Sequence, residues 1–270
     1  WSPASWAIIS SGDDRNITFT IVGTDENKNP IQETIQGTNN SFAISTKKFL
    51  TVKEVTTSGA TDGKVKVDYG LPDLYDIDGS SNGIGVFGVM SGGTWGSKPS
   101  DQYMGETPVF PSAWVRHTMD WVDTITVKRG TKTFVPIGLN FTGKKQVYKF
   151  ETPDPLEYFL VEGRASFSYD RGMYSQFGVK AFGGGLYWHI DENQTNNAND
   201  THRLVDLEEA DGTETYGQLS DFWGVGYGPS VFGPGATAPN SKRYNGSASG
   251  LCIKKLIVGT RSGKATFGCY

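Results

Sequence analysis

An all-β protein is predicted: a small antiparallel β-sandwich over residues 1–70, a glycine- and proline-rich arm over 71–117, and a larger β-sandwich or jelly-roll-like domain over 118–270. Three observations predict it. Short apolar runs recur at intervals of roughly 8–12 residues with Gly, Asn and Asp between them. No segment keeps a 3.6-residue apolar period for three turns, so a helix-rich protein is excluded. Glycine at 35 of 270 residues, aromatics at 13% and charged residues at 20% suit many turns and a large aromatic contact surface.

The elements follow in order. Ile17, Phe19 and Ile21 share one face of the first predicted strand, and Thr18, Thr20 and Val22 the other, because successive side chains alternate. Residues 23–30 turn the chain, since Asn and Gly tolerate positive φ and Pro30 donates no ladder hydrogen bond. A strand over 31–35 turns Gln32 and Thr34 to water. Residues 37–40 turn again, and 41–49 with 50–55 supply further strands before the turn at 58–63. Phe19, Ile21, Ile35 and Val52, joined by Ile17, are the predicted interior, and the module is of the immunoglobulin-like kind. Later runs lie at 64–69, 84–90, 121–128, 133–141, 146–150, 156–161 and 165–169, then at 177–182, 186–190, 202–207, 251–258 and 264–267.

The first quarter of the chain carries a resemblance. Ser10-Ser11-Gly12-Asp13-Asp14 leads into Ile17-Thr18-Phe19-Thr20-Ile21-Val22-Gly23-Thr24-Asp25. Glu33-Thr34-Ile35-Gln36-Gly37, Ser45-Thr46-Lys47-Lys48-Phe49-Leu50-Thr51-Val52 and Ser58-Gly59-Ala60 follow. The set resembles a recurring module of tailed-bacteriophage virion proteins, with Lys28 standing where the module has a turn glycine. The resemblance implies a virion structural component assembled in the host cytoplasm. Capsid decoration (cement) is the first role it suggests, and a tail, neck or fibre component the next. Its partners would be other virion proteins and further copies of itself, since a particle repeats its contacts. It carries no catalytic motif, and neither enzyme activity nor a cofactor is expected.

Composition removes other classes. A net charge of −4 with a pI near 5.5 leaves no electrostatic footprint for nucleic acid. No apolar run approaches the roughly 20 residues that cross a bilayer; no charged-then-apolar leader is read at Trp1, and the expectation is either a processed chain or one assembled without secretion. Cys252 and Cys269 flank a predicted hairpin but define no disulfide framework, and cytoplasmic assembly would keep them reduced.

Two long stretches, 79–112 and 222–244, combine glycines and prolines with large aromatics. Trp95, Phe110, Trp114, Trp223, Tyr227 and Phe232 are read as interface residues on arms that grip a neighbouring subunit. The alternative is that the stretches fold back over their own core.

Candidate chemistry is sparse. His189 and Asp191 share a strand face, and His202 across a polar loop would complete a two-histidine, one-carboxylate metal outline, which makes a metal-dependent oxygenase the third function; flanking surface residues are the plainer reading. Asp73, Asp76 and Asp78 cluster hard oxygen ligands of the kind calcium favours, against an ordinary Asx-turn loop. Asp120, Asp123, Glu151, Asp154, Glu157, Glu162, Glu208 and Glu209 could contain a glycosidase pair, which only a three-dimensional separation reveals. Trp95, Trp114, Trp121, Trp188 and Trp223 could stack on a glycan, giving a carbohydrate-binding receptor module as the second function. No nucleophile elbow, phosphate loop or dinucleotide motif occurs. Asn16, Asn39, Asn140, Asn193, Asn199 and Asn245 open glycosylation sequons, several of which composition alone would produce.

Overall fold

A computed structural model describes residues 5–39, 41–69, 71–119, 121–128, 130–134, 144–214, 217–224, 231–235, 239–258 and 263–268. Asp120, Asn140, Tyr227 and Cys269, each the subject of an expectation above, lie outside the described residues. The protein is mostly β, with 35% strand against 12% helix. It divides into two units, one of residues 1–71 with 118–121 and one of 72–117 with 122–270. Residues 72–117, read from sequence as a connecting arm, therefore belong to the larger unit.

The smaller unit has two three-stranded antiparallel sheets. One holds β1 (Trp6–Ser10) between β4 (Phe42–Ile44) and β6 (Val65–Tyr69); the other holds β2 (Thr18–Thr24) between β3 (Pro30–Gln36) and β5 (Thr51–Thr57). Ile8, Phe19, Ile21, Ile35 and Phe49 form its core, with Ile17 and Val52 partly buried against it. The predicted alternation of β2 is thus realised. Strand β1 was not expected, because consecutive Ala7 and Ile8 are both buried and show no alternation.

The module's motif residues prove to be fastenings. Glu33 accepts from the Thr46 amide at 2.8 Å, the Thr46 hydroxyl at 2.9 Å and the Lys47 amide at 2.7 Å. Buried Asp14 accepts from the Asp62 amide at 2.7 Å, and the Ser45 and Ser58 hydroxyls accept from the Trp6 and Thr18 amides. A Cβ at Gly12 would sit 1.4 Å from the Asp62 carbonyl oxygen, so only glycine fits there. Lys28 adopts φ +65°. The backbone turns there as a glycine would allow, and the lysine bears a cost of roughly 1–2 kcal/mol for the left-handed conformation.

The larger unit is built on a five-stranded sheet whose strand order runs β12 (Val205–Leu207), β11 (Gly183–Asp191), β10 (Glu157–Ala165), β9 (Lys144–Glu151), β7 (Asp123–Thr126). Strands β7 and β9 run parallel and the rest antiparallel. A second sheet, β13 (Ile253–Val258), β14 (Gly263–Phe267) and β8 (Gly130–Phe134), contributes to a core containing Phe159, Tyr187, Trp223, Phe232, Ile253 and Leu256. Strand β10 is buried at every position, so both of its faces are covered.

Residues 84–118 cover one of those faces. The run 84–90, expected as a strand, instead makes a 3-10 turn over Gly85–Phe87, with Gly85 at φ +54°, which a strand cannot accommodate. Ile84, Val86 and Phe87 are nevertheless buried. Ala113–Thr118 forms an unpredicted short helix, α1. The runs at 165–169 and 177–182 also differ from expectation: Ser168–Met173 is 3-10 helix and Tyr174–Phe177 is helix α2.

Candidate functional site

Strand alternation gives β10 two chemically distinct faces. Leu160, Glu162 and Arg164 point to one, Glu157, Phe159 and Val161 to the other. The charged pair on the first face is wholly enclosed by residues 84–118. Arg164 meets Asp170 through Nε–H at 2.6 Å and again through Nη2, and donates to the carbonyls of Phe87 at 3.1 Å and Phe110 at 3.3 Å. Glu162 accepts from Arg164 at 3.3 Å, from Arg116 of α1, and from the Trp188 indole at 3.0 Å. Two guanidinium groups and two carboxylates, all nearly free of solvent contact, balance one another and pin the glycine-rich segment to the sheet. Three donors already engage the Glu162 carboxylate, two on Oε1 and one on Oε2, which fixes it as part of the clamp.

The other face carries His189, opposite Phe159 in the ladder. Its Nε2 lies 3.0 Å from Glu157 and its Nδ1 3.2 Å from Glu208. Burial disfavours the charged imidazolium, but these two carboxylates outweigh it and raise the His189 pKa. Glu157 also accepts from Arg243 at 2.9 Å and the Tyr244 amide at 2.8 Å, and these partners with His189 hold its carboxyl near 2 despite burial. The His189 ring is sandwiched between Phe159, 4.2 Å away, and Tyr244, 4.1 Å away. His202 stacks on Tyr244 at 4.0 Å and bonds Asp191 at 2.6 Å.

This arrangement corrects the metal outline. His189 and Asp191 do share a face, but the Tyr244 ring stands between the two imidazoles, so no single ion can take both. No group of three potential ligands suitable for a metal occurs among the described residues. Glu157 and Glu208, the carboxylates that do converge, are bridged by the imidazole rather than opened to a substrate.

A pH dependence follows from this unit. Burial, aided by Asp206 and Asp221, pushes the Glu209 carboxyl up to about 9, and burial pushes Asp221 to about 7. A carboxyl with a raised folded pKa binds more protons folded than unfolded, so stability falls as pH climbs from about 4.5 towards 9. The raised His189 acts in the same direction, its contribution being lost as pH passes its folded value. On the acid side the lowered Glu157 loses its contribution as pH falls from about 4.5 towards 2. Stability is therefore expected to peak in mildly acid solution. Glu209→Gln should flatten the decline between pH 5 and pH 9 by on the order of 2 kcal/mol, read from urea midpoints; an unchanged decline contradicts the assignment.

The remaining predicted residues fall into two groups. Trp223 and Phe232 are completely buried in the core, Phe110 is buried with its ring edge-on to Tyr169 at 5.5 Å, and Trp114 is buried with its indole donating to Glu192 at 3.2 Å. These four have no appreciable surface to offer a neighbour, and the interface expectation for them is corrected: they are buried within their own unit. Trp95 differs, being 60% exposed. Asp73, Asp76 and Asp78 do not converge on a cation. Asp76 accepts from Ser80, Ser81 and the Asp78 amide, Asp78 from the Ser80 amide, and Asp73 from the Tyr75 hydroxyl. They close turns, the plainer of the two readings.

The smaller unit presents a surface that sequence reading missed. Ile9 pairs with Phe42 and Ala7 with Ile44 across β1 and β4, which places Ile9, Phe42 and Ile44 on the face opposite Ile8 and the core. Phe42 is 58% exposed and its two neighbours are more than a third exposed. Compared with known proteins, the chain matches no family and no curated protein.

Proposed function

We propose that this chain is a non-catalytic structural component of a tailed-phage particle, in the first place a capsid decoration protein that fixes neighbouring subunits. The apolar strip of Ile9, Phe42 and Ile44 carries the reading. Three large apolar side chains on one open sheet face are uncommon on a surface with no partner, and such patches mark interaction sites. They sit in the part of the chain that resembles the virion module, whose motif residues serve folding rather than chemistry. We read the two sheets over one apolar cluster as the β-sandwich that the resemblance implies. Histidine and carboxylates in the larger unit neutralise one another, which supports adhesion over catalysis. A stable interface buries about 1,200–2,000 Å² in total, so the strip is its centre and surrounding polar surface its rim. Tail, neck and fibre positions would use the same strip.

The test is the double variant Ile9→Thr, Phe42→Thr, which puts a β-branched residue of good strand propensity at both positions. Incorporation into particles is expected to fall by about 30-fold, as for loss of an interface hot spot. The monomer's denaturation midpoint should move by no more than about 0.5 kcal/mol in stability. Undiminished incorporation would remove the strip from the adhesive surface.

A further inference from the structure

The larger unit holds a cavity of about 430 Å³ whose lining includes Asp73, Tyr75, Asn82, Ser91, Thr94 and Trp95, within the range of about 300–1,000 Å³ typical of small-ligand sites. We propose that this cavity binds a neutral oligosaccharide, with Trp95 as the stacking platform and Asp73 and Asn82 as hydroxyl partners. The binding is a property of this chain alone and does not depend on a place in a particle.

The cavity is preformed. The Leu74 amide donates to the Met90 carbonyl at 2.8 Å, and the Ile84 amide to the Leu74 carbonyl at 3.0 Å. Asn197 donates to that same Leu74 oxygen at 2.9 Å, and Arg203 to the Ser81 hydroxyl at 3.0 Å. Asp76 folds its loop inward by accepting from the Ser81 amide at 2.7 Å. Trp95 ends a 3-10 turn, Gly92–Trp95, tied to the returning chain by the Thr107 and Val109 amides. A rigid wall with an open indole loses little freedom when a ligand arrives.

Ligand class follows from what the wall offers. A pyranose ring presents an apolar C–H face that suits a flat indole, and a girdle of hydroxyls that must find partners. One oxygen of Asp73 accepts from the Tyr75 hydroxyl at 2.9 Å and its other oxygen remains an acceptor. Asn82 adds an exposed carboxamide that both donates and accepts. A purely apolar ligand would leave these groups unmatched, and Asp73 with Asp76 on the lining opposes an anion.

Chitotriose, cellotriose and maltotriose are the probes, with intrinsic tryptophan fluorescence and calorimetry as readouts and a lysine-rich peptide as the competing ligand. At least one trisaccharide is expected to bind with Kd below about 1 mM. Trp95→Ala should weaken it about 30-fold, Asp73→Asn about tenfold, and Tyr103→Ala, an exposed aromatic outside the cavity, less than about twofold. Binding should change little between low and high salt, because no charge is neutralised. Three outcomes overturn the proposal: no trisaccharide binding, binding that survives Trp95→Ala, or salt-sensitive binding of the peptide alone. Circular dichroism of each variant separates a lost site from a lost fold.

Discussion

Arg164→Ala is expected to destabilise the larger unit by about 3–5 kcal/mol, because it strips one partner from a fully buried ion-pair network. The guanidinium serves four groups at once: Asp170, Glu162 and the carbonyls of Phe87 and Phe110. Without it Asp170 keeps only the Phe110 amide, at 3.2 Å, and the two carbonyls lose a donor inside the protein. The network holds residues 84–118 against β10, so those residues should gain amide exchange before the sheet does. The double variant Arg164→Met, Asp170→Leu removes both charges and should recover part of the loss. Denaturant titration measures both. A loss below about 1 kcal/mol for Arg164→Ala would place it among ordinary surface substitutions and refute the clamp.

Trp223→Ala should cost a similar amount, about 3–5 kcal/mol. The indole is completely buried, stacks on Tyr187 at 4.8 Å and meets Phe232 edge-on at 5.1 Å, while its N–H donates to the Glu208 carbonyl. Its backbone also pairs with Gly185 in both directions, at 2.8 and 2.9 Å. Trp95→Ala, by contrast, removes a mostly exposed ring and should leave monomer stability within about 0.5 kcal/mol. The two variants therefore separate a core tryptophan from a surface one. Equal midpoints in thermal denaturation would contradict that division.

Local pattern was legible wherever one face met water. Thr18 and Thr20 alternate with Phe19 and Ile21, which is enough to put the latter pair inside, and Thr18–Thr24 is a strand with that burial pattern. Pattern failed where apolar residues follow one another without polar alternation. Trp6–Ser10 and residues 84–90 are apolar runs without a period, and one became a strand while the other became a turn. Glu162 and Arg164 look like solvent positions on a half-exposed strand; only the return of residues from some 80 positions upstream encloses them. The strand reading correctly put His189 and Asp191 on one face. It could not foresee Tyr244 entering between His189 and His202 from a distant loop. Aromatic richness in 222–244 was read as surface, whereas Trp223 and Phe232 fill the space between the two sheets of the larger unit.

High-resolution imaging of the assembled particle tests the structural role most directly. Ordered copies of this chain bound to other virion proteins are expected, with Ile9, Phe42 and Ile44 covered by a neighbour. Particles that lack the chain, or that carry it with this strip facing solvent, would contradict that role.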